Sequence, residues 1–104
     1  MASWKQLEII TFSIFNSAGM DSAGSSIVAD NLLSAERMGM SSHGLIRIPA
    51  YVARLIQGGI NPTPKVRVLR KKGACATIDG DNGMGQVSGT FAMNQAINLS
   101  LIHI

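Results

Sequence analysis

Cysteine occurs once in this 104-residue chain, at Cys75, so no internal disulfide can form. The default setting is therefore reducing and cytoplasmic. With one cysteine and two histidines, His43 and His103, no Cys/His cluster has the spacing that holds zinc. No run approaches the ~20 apolar residues of a membrane span. The N-terminus MASWKQLEII lacks the charged, apolar and small-residue order of a signal peptide. Aromatic residues are scarce at 5% and charged residues are few at 14%, yet 46% of the chain is hydrophobic. That balance excludes a disordered polyelectrolyte and fits one small globular unit.

Charge of either sign is sparse, and the formal net charge is only +3. Five of the nine basic residues nevertheless fall together, at Lys65, Arg67, Arg70, Lys71 and Lys72. Such a run could contact phosphate backbones. It also describes an edge strand protected from aggregation by its charges, and that second reading is preferred.

What is present is helical periodicity punctuated by glycine. Ser3 and Gln6 form a capping-box pattern, and Trp4, Leu7, Ile10 and Ile14 recur at helical spacing up to about Ala18, where Gly19 is a stop. Asp21 or Ser22 caps a second helix to about Met38, with Val28, Leu32 and Ala35 as its apolar stripe and Gly39 at its end. Ser42 is positioned to cap a third helix from about His43 to Gln57. Leu45, Ile48, Val52 and Leu55 face the core there, and Gly58-Gly59 stops it. Pro49, inside this pattern, either delays the start or kinks the first turns. Asn61-Pro62-Thr63-Pro64 is a stiff connector. Val66 to Arg70 and Ala74 to Ile78 read as two strands around Lys72-Gly73. A turn-rich loop, Asp79 to Gly85, precedes a fourth helix suggested by Val87, Phe91, Met93 and Ala96. The fold class is α/β, and α+β within this stretch: a three-helix region, a short β-hairpin and the start of a fourth helix.

The organisation expected is a helical region over 1–60 and the beginning of an α/β domain over 61–98. The apolar residues 99–104 carry no helix stop and read as a truncated or foreign tail. His103 lies there and is given no role.

The stretch Ser42-His43-Gly44-Leu45-Ile46-Arg47 carries the chemistry. In a regular helix His43, Arg47, Tyr51 and Arg54 would form one polar stripe opposite the apolar face. Arginine binds a carboxylate through two parallel N–H···O bonds. A histidine one turn away would then lie beside the adjacent carbon, which in a 2-keto or 2-hydroxy acid bears the reacting oxygen. Imidazole titrates near neutrality and can donate or accept that proton. A histidine in the first turn of a helix would need an acidic partner, since the helix dipole disfavours imidazolium. Asp30 and Glu36 are the nearest candidates. A helix-start histidine and a solvated arginine remain the plainer alternative.

The loop Asp79-Gly80-Asp81-Asn82-Gly83-Met84-Gly85 has oxygen ligands but not the spacing of an EF-hand. Its glycines run G-x-x-G-x-G, which is neither the dinucleotide fingerprint nor a P-loop. They are expected to permit positive φ before a helix. The amides near Gly85 and Gln86 could face an anion.

Taken together, Ala35-Glu36-Arg37-Met38-Gly39-Met40-Ser41-Ser42-His43-Gly44, then Arg47, Tyr51, Gly58-Gly59-Ile60-Asn61-Pro62 and Asp79-Gly80…Gly83…Gly85-Gln86, resemble the malate/L-lactate dehydrogenase family that lacks a Rossmann fold. The resemblance implies hydride transfer between NAD or NADP and a 2-hydroxy or 2-keto acid, in a homodimer with an unusual α/β fold. It implies His43 as acid/base, Arg47 on the substrate carboxylate and Ser42 in support. Members are considerably longer, so most nicotinamide-binding segments would lie beyond residue 104. No metal site, nucleic-acid partner or membrane partner is expected, and the substrate is a small-molecule 2-keto or 2-hydroxy acid. The competing reading is a winged-helix DNA-binding domain, with Lys65–Lys72 as the wing and the third helix in the major groove. His43, Arg47, Tyr51 and Arg54 offer few base-reading groups, which counts against it.

Overall fold

The computed structural model describes residues 3–103. It contains α1 (Trp4–Ser17), α2 (Ser22–Arg37), two short 3-10 turns (Ser41–His43 and Leu45–Arg47), α3 (Ile48–Ile56), strands β1 (Arg67–Lys72) and β2 (Cys75–Asp79), and α4 (Gly85–His103).

The helix starts follow side-chain chemistry. Ser3 Oγ accepts the Gln6 amide at 3.1 Å and Gln6 Oε1 accepts the Ser3 amide at 2.8 Å, closing the expected capping box. Asp21, rather than Ser22, caps α2 by accepting the Gly24 amide at 2.7 Å. Three helices end in the same way. After α2, Gly39 takes φ 77°, its N–H reaches the Glu36 carbonyl and the Met40 N–H reaches the Ala35 carbonyl. This is a Schellman closure, which favours glycine because a side chain resists positive φ. Gly19 and Gly58 close α1 and α3 with the same pair of bonds.

The third helix is shorter than its apolar periodicity suggests. Expected from His43, it begins at Ile48, and Ser42 makes no side-chain cap. Pro49 explains this. A helix through His43 would need the Pro49 N–H to serve the Leu45 carbonyl, and proline has none. The Ile48 N–H serves that carbonyl instead, one residue earlier, and the chain runs as 3-10 turns until Pro49 can sit in the first helical turn.

The core gathers Phe15, Met20, Val28, Leu32, Leu55 and Met84, with Leu45, Ile48, Tyr51, Val52, Ile60 and Val87 packed around it. The stripes of α2 and α3 are as expected. On α1 the buried residues are Thr11 and Phe15, whereas Trp4 and Ile10 are exposed. Thr11 is satisfied by donating to the Leu7 carbonyl at 2.7 Å, and Trp4 stacks on the Arg37 guanidinium, 4.9 Å from its ring centre. On α4, Leu99 is buried while Met93, Ala96, Leu101 and Ile102 are exposed. The helix lies against both α2 and β2. The side chain of His103 lies outside the described residues.

The hairpin is antiparallel and pairs Val68 with Ile78 and Lys72 with Cys75, with a bulge between Val68 and Arg70. Its turn is Gly73-Ala74, one residue later than expected, and both strands shift accordingly. Arg67 meets Asp79 at 3.5 Å on an exposed face, a pair of small energetic weight. Arg70, Lys71 and Lys72 are exposed along β1, as the charge-protected strand reading requires.

The loop after β2 is held by long-range hydrogen bonds. Asp81 Oδ2 accepts from the Lys65 amide at 2.8 Å and from Asn61 Nδ2 at 3.0 Å. Asn82 Nδ2 donates to the Gly59 carbonyl at 3.1 Å, and its own carbonyl accepts the Asn61 amide at 2.8 Å. Positive φ falls on Asp81 (53°) and Asn82 (55°), not on the loop glycines. Gly80 and Gly83 instead sit at close approaches, whereas a Cβ on Gly85 would meet nothing within 4 Å. A Cβ on Gly83 would lie 2.5 Å from Pro64 Cγ and 2.7 Å from its Cβ. Gly83→Ala is expected to cost about 1–3 kcal/mol, the usual penalty for overpacking. A thermal melt checks this, and an unmoved midpoint would mean that Pro64 yields freely.

Candidate functional site

Everything the sequence singles out between residues 36 and 47 hangs from the C-terminus of α2. The Schellman turn at Gly39 reverses the chain, and the two 3-10 turns follow at once. The His43 amide donates to the Met40 carbonyl at 2.9 Å and the Arg47 amide to the Gly44 carbonyl at 3.0 Å. His43 and Arg47 are therefore not one turn apart on a single α-helix. Each sits at the end of its own 3-10 turn, with Gly44 between them.

A side-chain bond ties the second turn back to the first. Arg47 curls back, and its Nε donates to the Ser42 carbonyl at 2.7 Å. The guanidinium is thus anchored to the residue next to His43. With Nε engaged, the two terminal nitrogens remain available to a planar anion. Ser42, His43 and Arg47 are all exposed. Tyr51 and Arg54 lie further along α3 on a separate cleft of about 740 Å3, whose opposite wall includes Asn82, Gly85 and Gln86 at the start of α4. Of the expected four-residue stripe, only Tyr51 and Arg54 share a helix and this cleft.

Glu36 does not bond to His43. Its Oε1 accepts the Leu45 amide at 2.8 Å and its Oε2 accepts the Ser41 hydroxyl at 3.4 Å. Asp30 is exposed on α2, and no hydrogen bond joins it to His43 among the described residues. This grip of Glu36 on the loop was not legible in the sequence, because it joins residues nine apart through a carboxylate and a backbone amide. The one signal was the glycine after His43. Gly44 is buried, and a Cβ there would lie 2.7 Å from Glu36 Cγ and Cδ and nearer still to Oε1.

Two further tests concern bound groups. Among the described residues no set of three His, Cys, Asp or Glu is placed to hold a metal ion. In the Asp79–Asn82 loop, Asp79 Oδ1 accepts the Asp81 amide, and Asp81 Oδ2 accepts from Asn61 and Lys65. Among the described residues the one sheet is a two-stranded antiparallel hairpin, with no βαβ crossover and phosphate-binding turn of the Rossmann kind. No helix among the described residues is long and apolar enough to cross a membrane.

His43 and Arg47 thus lie exposed on one loop between α2 and α3. In comparison with known proteins, the malate/L-lactate dehydrogenase family matches residues 2–103, and the chain belongs to that family. It is 44% identical over 84 residues to the malate dehydrogenase of Pyrococcus horikoshii, covering 81% of this chain and 23% of that protein. It is 42% identical over 79 residues to the L-sulfolactate dehydrogenase of Methanocaldococcus jannaschii, covering 76% and 23%. The NAD(+) ureidoglycolate dehydrogenase of Escherichia coli is 37% identical over 81 residues, covering 77% and 23%. The solved structure of the Pyrococcus horikoshii malate dehydrogenase superposes with a TM-score of 0.93 at 38% identity, over 97% of this chain and 29% of that one. The chain thus spans about a quarter of the length of these curated relatives.

Proposed function

We propose that this chain supplies the substrate-binding and proton-transfer loop of an NAD- or NADP-dependent dehydrogenase that interconverts a 2-hydroxy acid and its 2-keto acid. The observation that carries the reading is the bond from Arg47 Nε to the Ser42 carbonyl, which holds a guanidinium beside His43 in a chain of this family. Arg47 takes the substrate carboxylate on its two terminal nitrogens, which fixes the acid's plane. His43 then accepts the hydroxyl proton in oxidation and returns it to the carbonyl oxygen in reduction. Ser42 supports the pair through its backbone carbonyl. The nicotinamide supplies the hydride chemistry and is held mostly by parts of the enzyme outside these residues, as is any acidic partner of His43.

The surroundings support an enzyme larger than this stretch. His43 and Arg47 face solvent here, whereas such chemistry gains from excluded water. The radius of gyration, 15.2 Å, exceeds the ~13 Å of a self-contained unit of 100 residues. Helix α4 has no Asp, Glu, Lys or Arg between Gly85 and His103, which suits a helix packed on several sides. An apolar groove of about 520 Å3 between α1 and α3, walled by Ile9, Ile10, Ile14, Val52 and Ile56, suits a covered surface. These features favour residues 1–60 and 61–98 as parts of one larger α/β enzyme; its reading as a cytoplasmic homodimer that binds neither nucleic acid nor membrane rests on the family match. The family match also favours this reading over the winged-helix one, as does a third α-helix of only nine residues.

The test is nicotinamide-linked turnover of 2-keto acids by the full-length enzyme, with Arg47→Lys alongside. Lysine offers a point charge in place of a planar fork. The Arg47→Lys enzyme is expected to show a KM for keto acids raised roughly tenfold or more, the scale of one lost charge-assisted bond, with a smaller change in kcat. An unchanged KM would remove Arg47 from the carboxylate.

A further inference from the structure

We propose that Glu36 is the positioning residue for His43, acting through the backbone and not as a proton partner. The proposal rests on the assignment of His43 above.

Glu36 stands in the last turn of α2. It follows Ala35 at the end of α2, a helix fixed in the core by Val28, Leu32, Leu33 and Ala35, all buried. Its carbonyl is fastened by the Gly39 N–H at 3.1 Å, and the preceding carbonyl by the Met40 N–H at 2.9 Å. The backbone that carries its side chain therefore has little freedom. From that base one carboxylate reaches both ends of the histidine loop. Oε2 takes the Ser41 hydroxyl on one side, and Oε1 takes the Leu45 amide on the other. Ser42, His43 and Gly44 are the three residues bracketed between those contacts.

Gly44 completes the clamp. A Cβ on Gly44 would lie 2.7 Å from Glu36 Cγ and Cδ, so a side chain there would have to displace the carboxylate from this position. Leu45, on the far side, packs against the core. The amide that Glu36 accepts opens the second 3-10 turn and lies at a break between two turns, where a donor lacks a regular helical partner. Arg47 belongs to that second turn, and its Nε is tied to Ser42 inside the bracket. One side chain thus sets the position of both groups assigned to the substrate, without bonding to either side chain.

Two conservative variants of the full-length enzyme separate positioning from charge. Glu36→Gln keeps the reach and an acceptor oxygen but loses the charge. Glu36→Asp keeps the charge but is one methylene too short to hold both Ser41 and Leu45. Positioning predicts that Glu36→Gln stays within about threefold of the parent kcat. It predicts that Glu36→Asp falls by roughly ten- to a hundredfold, since a displacement near 1 Å can cost about that much. Both are to be measured well below their melting temperatures, so that lost folding does not imitate lost positioning. The reverse order, with Glu36→Gln the more damaged, would show that the charge matters and overturn the proposal. So would two variants both close to the parent. His43→Ala, assayed in parallel, separates the two claims. Full turnover in that variant sinks the assignment of His43 itself, whereas its loss beside an undamaged Glu36→Asp sinks only the role of Glu36.

Discussion

Replacing His43 by alanine is expected to lower turnover of the full-length enzyme by roughly two to four powers of ten, the usual span for a lost general acid/base. The fold should survive the change. The side chain is exposed, and the hydrogen bond that fixes its residue, from its amide to the Met40 carbonyl, belongs to the backbone. Exposed substitutions away from such features alter stability by about 0.5 kcal/mol or less. The expected signature is therefore a large loss of kcat with an unmoved melting temperature and a keto-acid KM close to the parent value, because Arg47 still holds the carboxylate. Turnover within a fewfold of the parent would take His43 out of the mechanism.

The largest effect on stability is expected at Phe15. Its side chain has no exposed surface and stands in the cluster formed with Val28, Leu32 and Leu55. Phe15→Ala removes a ring and leaves a cavity, a change that costs about 3–5 kcal/mol. Small domains hold only about 5–15 kcal/mol in total, so this one substitution can consume most of what the chain has. In a domain of this size each kcal/mol corresponds to about 4–8 °C. A thermal melt should show a drop of roughly 12 °C or more, or no cooperative transition. Ile9 is the control: it is on the same helix but 55% exposed, and Ile9→Ala in this chain should barely move the midpoint. Equal losses at both positions would mean that the core is placed wrongly.

How far the sequence reveals this molecule depends on the range of the interactions involved. Helix ends were legible because capping is local: Ser3 with Gln6, Asp21 with Gly24, and the glycines at 19, 39 and 58 act within a few residues. The inward stripe of α2 was legible because Val28, Leu32 and Ala35 recur at helical spacing, although the buried Ser25 on the same helix carries no apolar signal. On α1 the stripe was misread because Thr11 takes a core position by satisfying its hydroxyl on its own helix, and apolar Trp4 and Ile10 lie outside the core. The third helix was overextended because periodicity does not register the missing amide of Pro49. The loop after β2 was assigned its flexibility in the wrong places. Asp81 and Asn82 adopt positive φ while bonding to residues about twenty positions earlier, and no local pattern carries that information.

The site shows the same division. His43 and Arg47 were found from residue type and spacing, and the family resemblance singled them out. The geometry first attached to them, one face of one helix, does not hold. What joins them is a side chain folding back on a carbonyl, which the chain permits only because the 3-10 turns replace the helix. Glu36 was noticed as a carboxylate near the histidine, but its partners are an amide and a hydroxyl. Spacing singled out the candidates, and backbone geometry decided how they are connected.

Chemical rescue tests the central claim most directly. Imidazole added to the full-length His43→Ala enzyme can enter the space of the missing ring and carry the same proton. If His43 is the acid/base, turnover of a 2-keto acid should rise with imidazole concentration and saturate, with little effect on the parent enzyme. A His43→Ala enzyme that binds the keto acid normally yet gains nothing from imidazole at any concentration would contradict proton transfer at this residue.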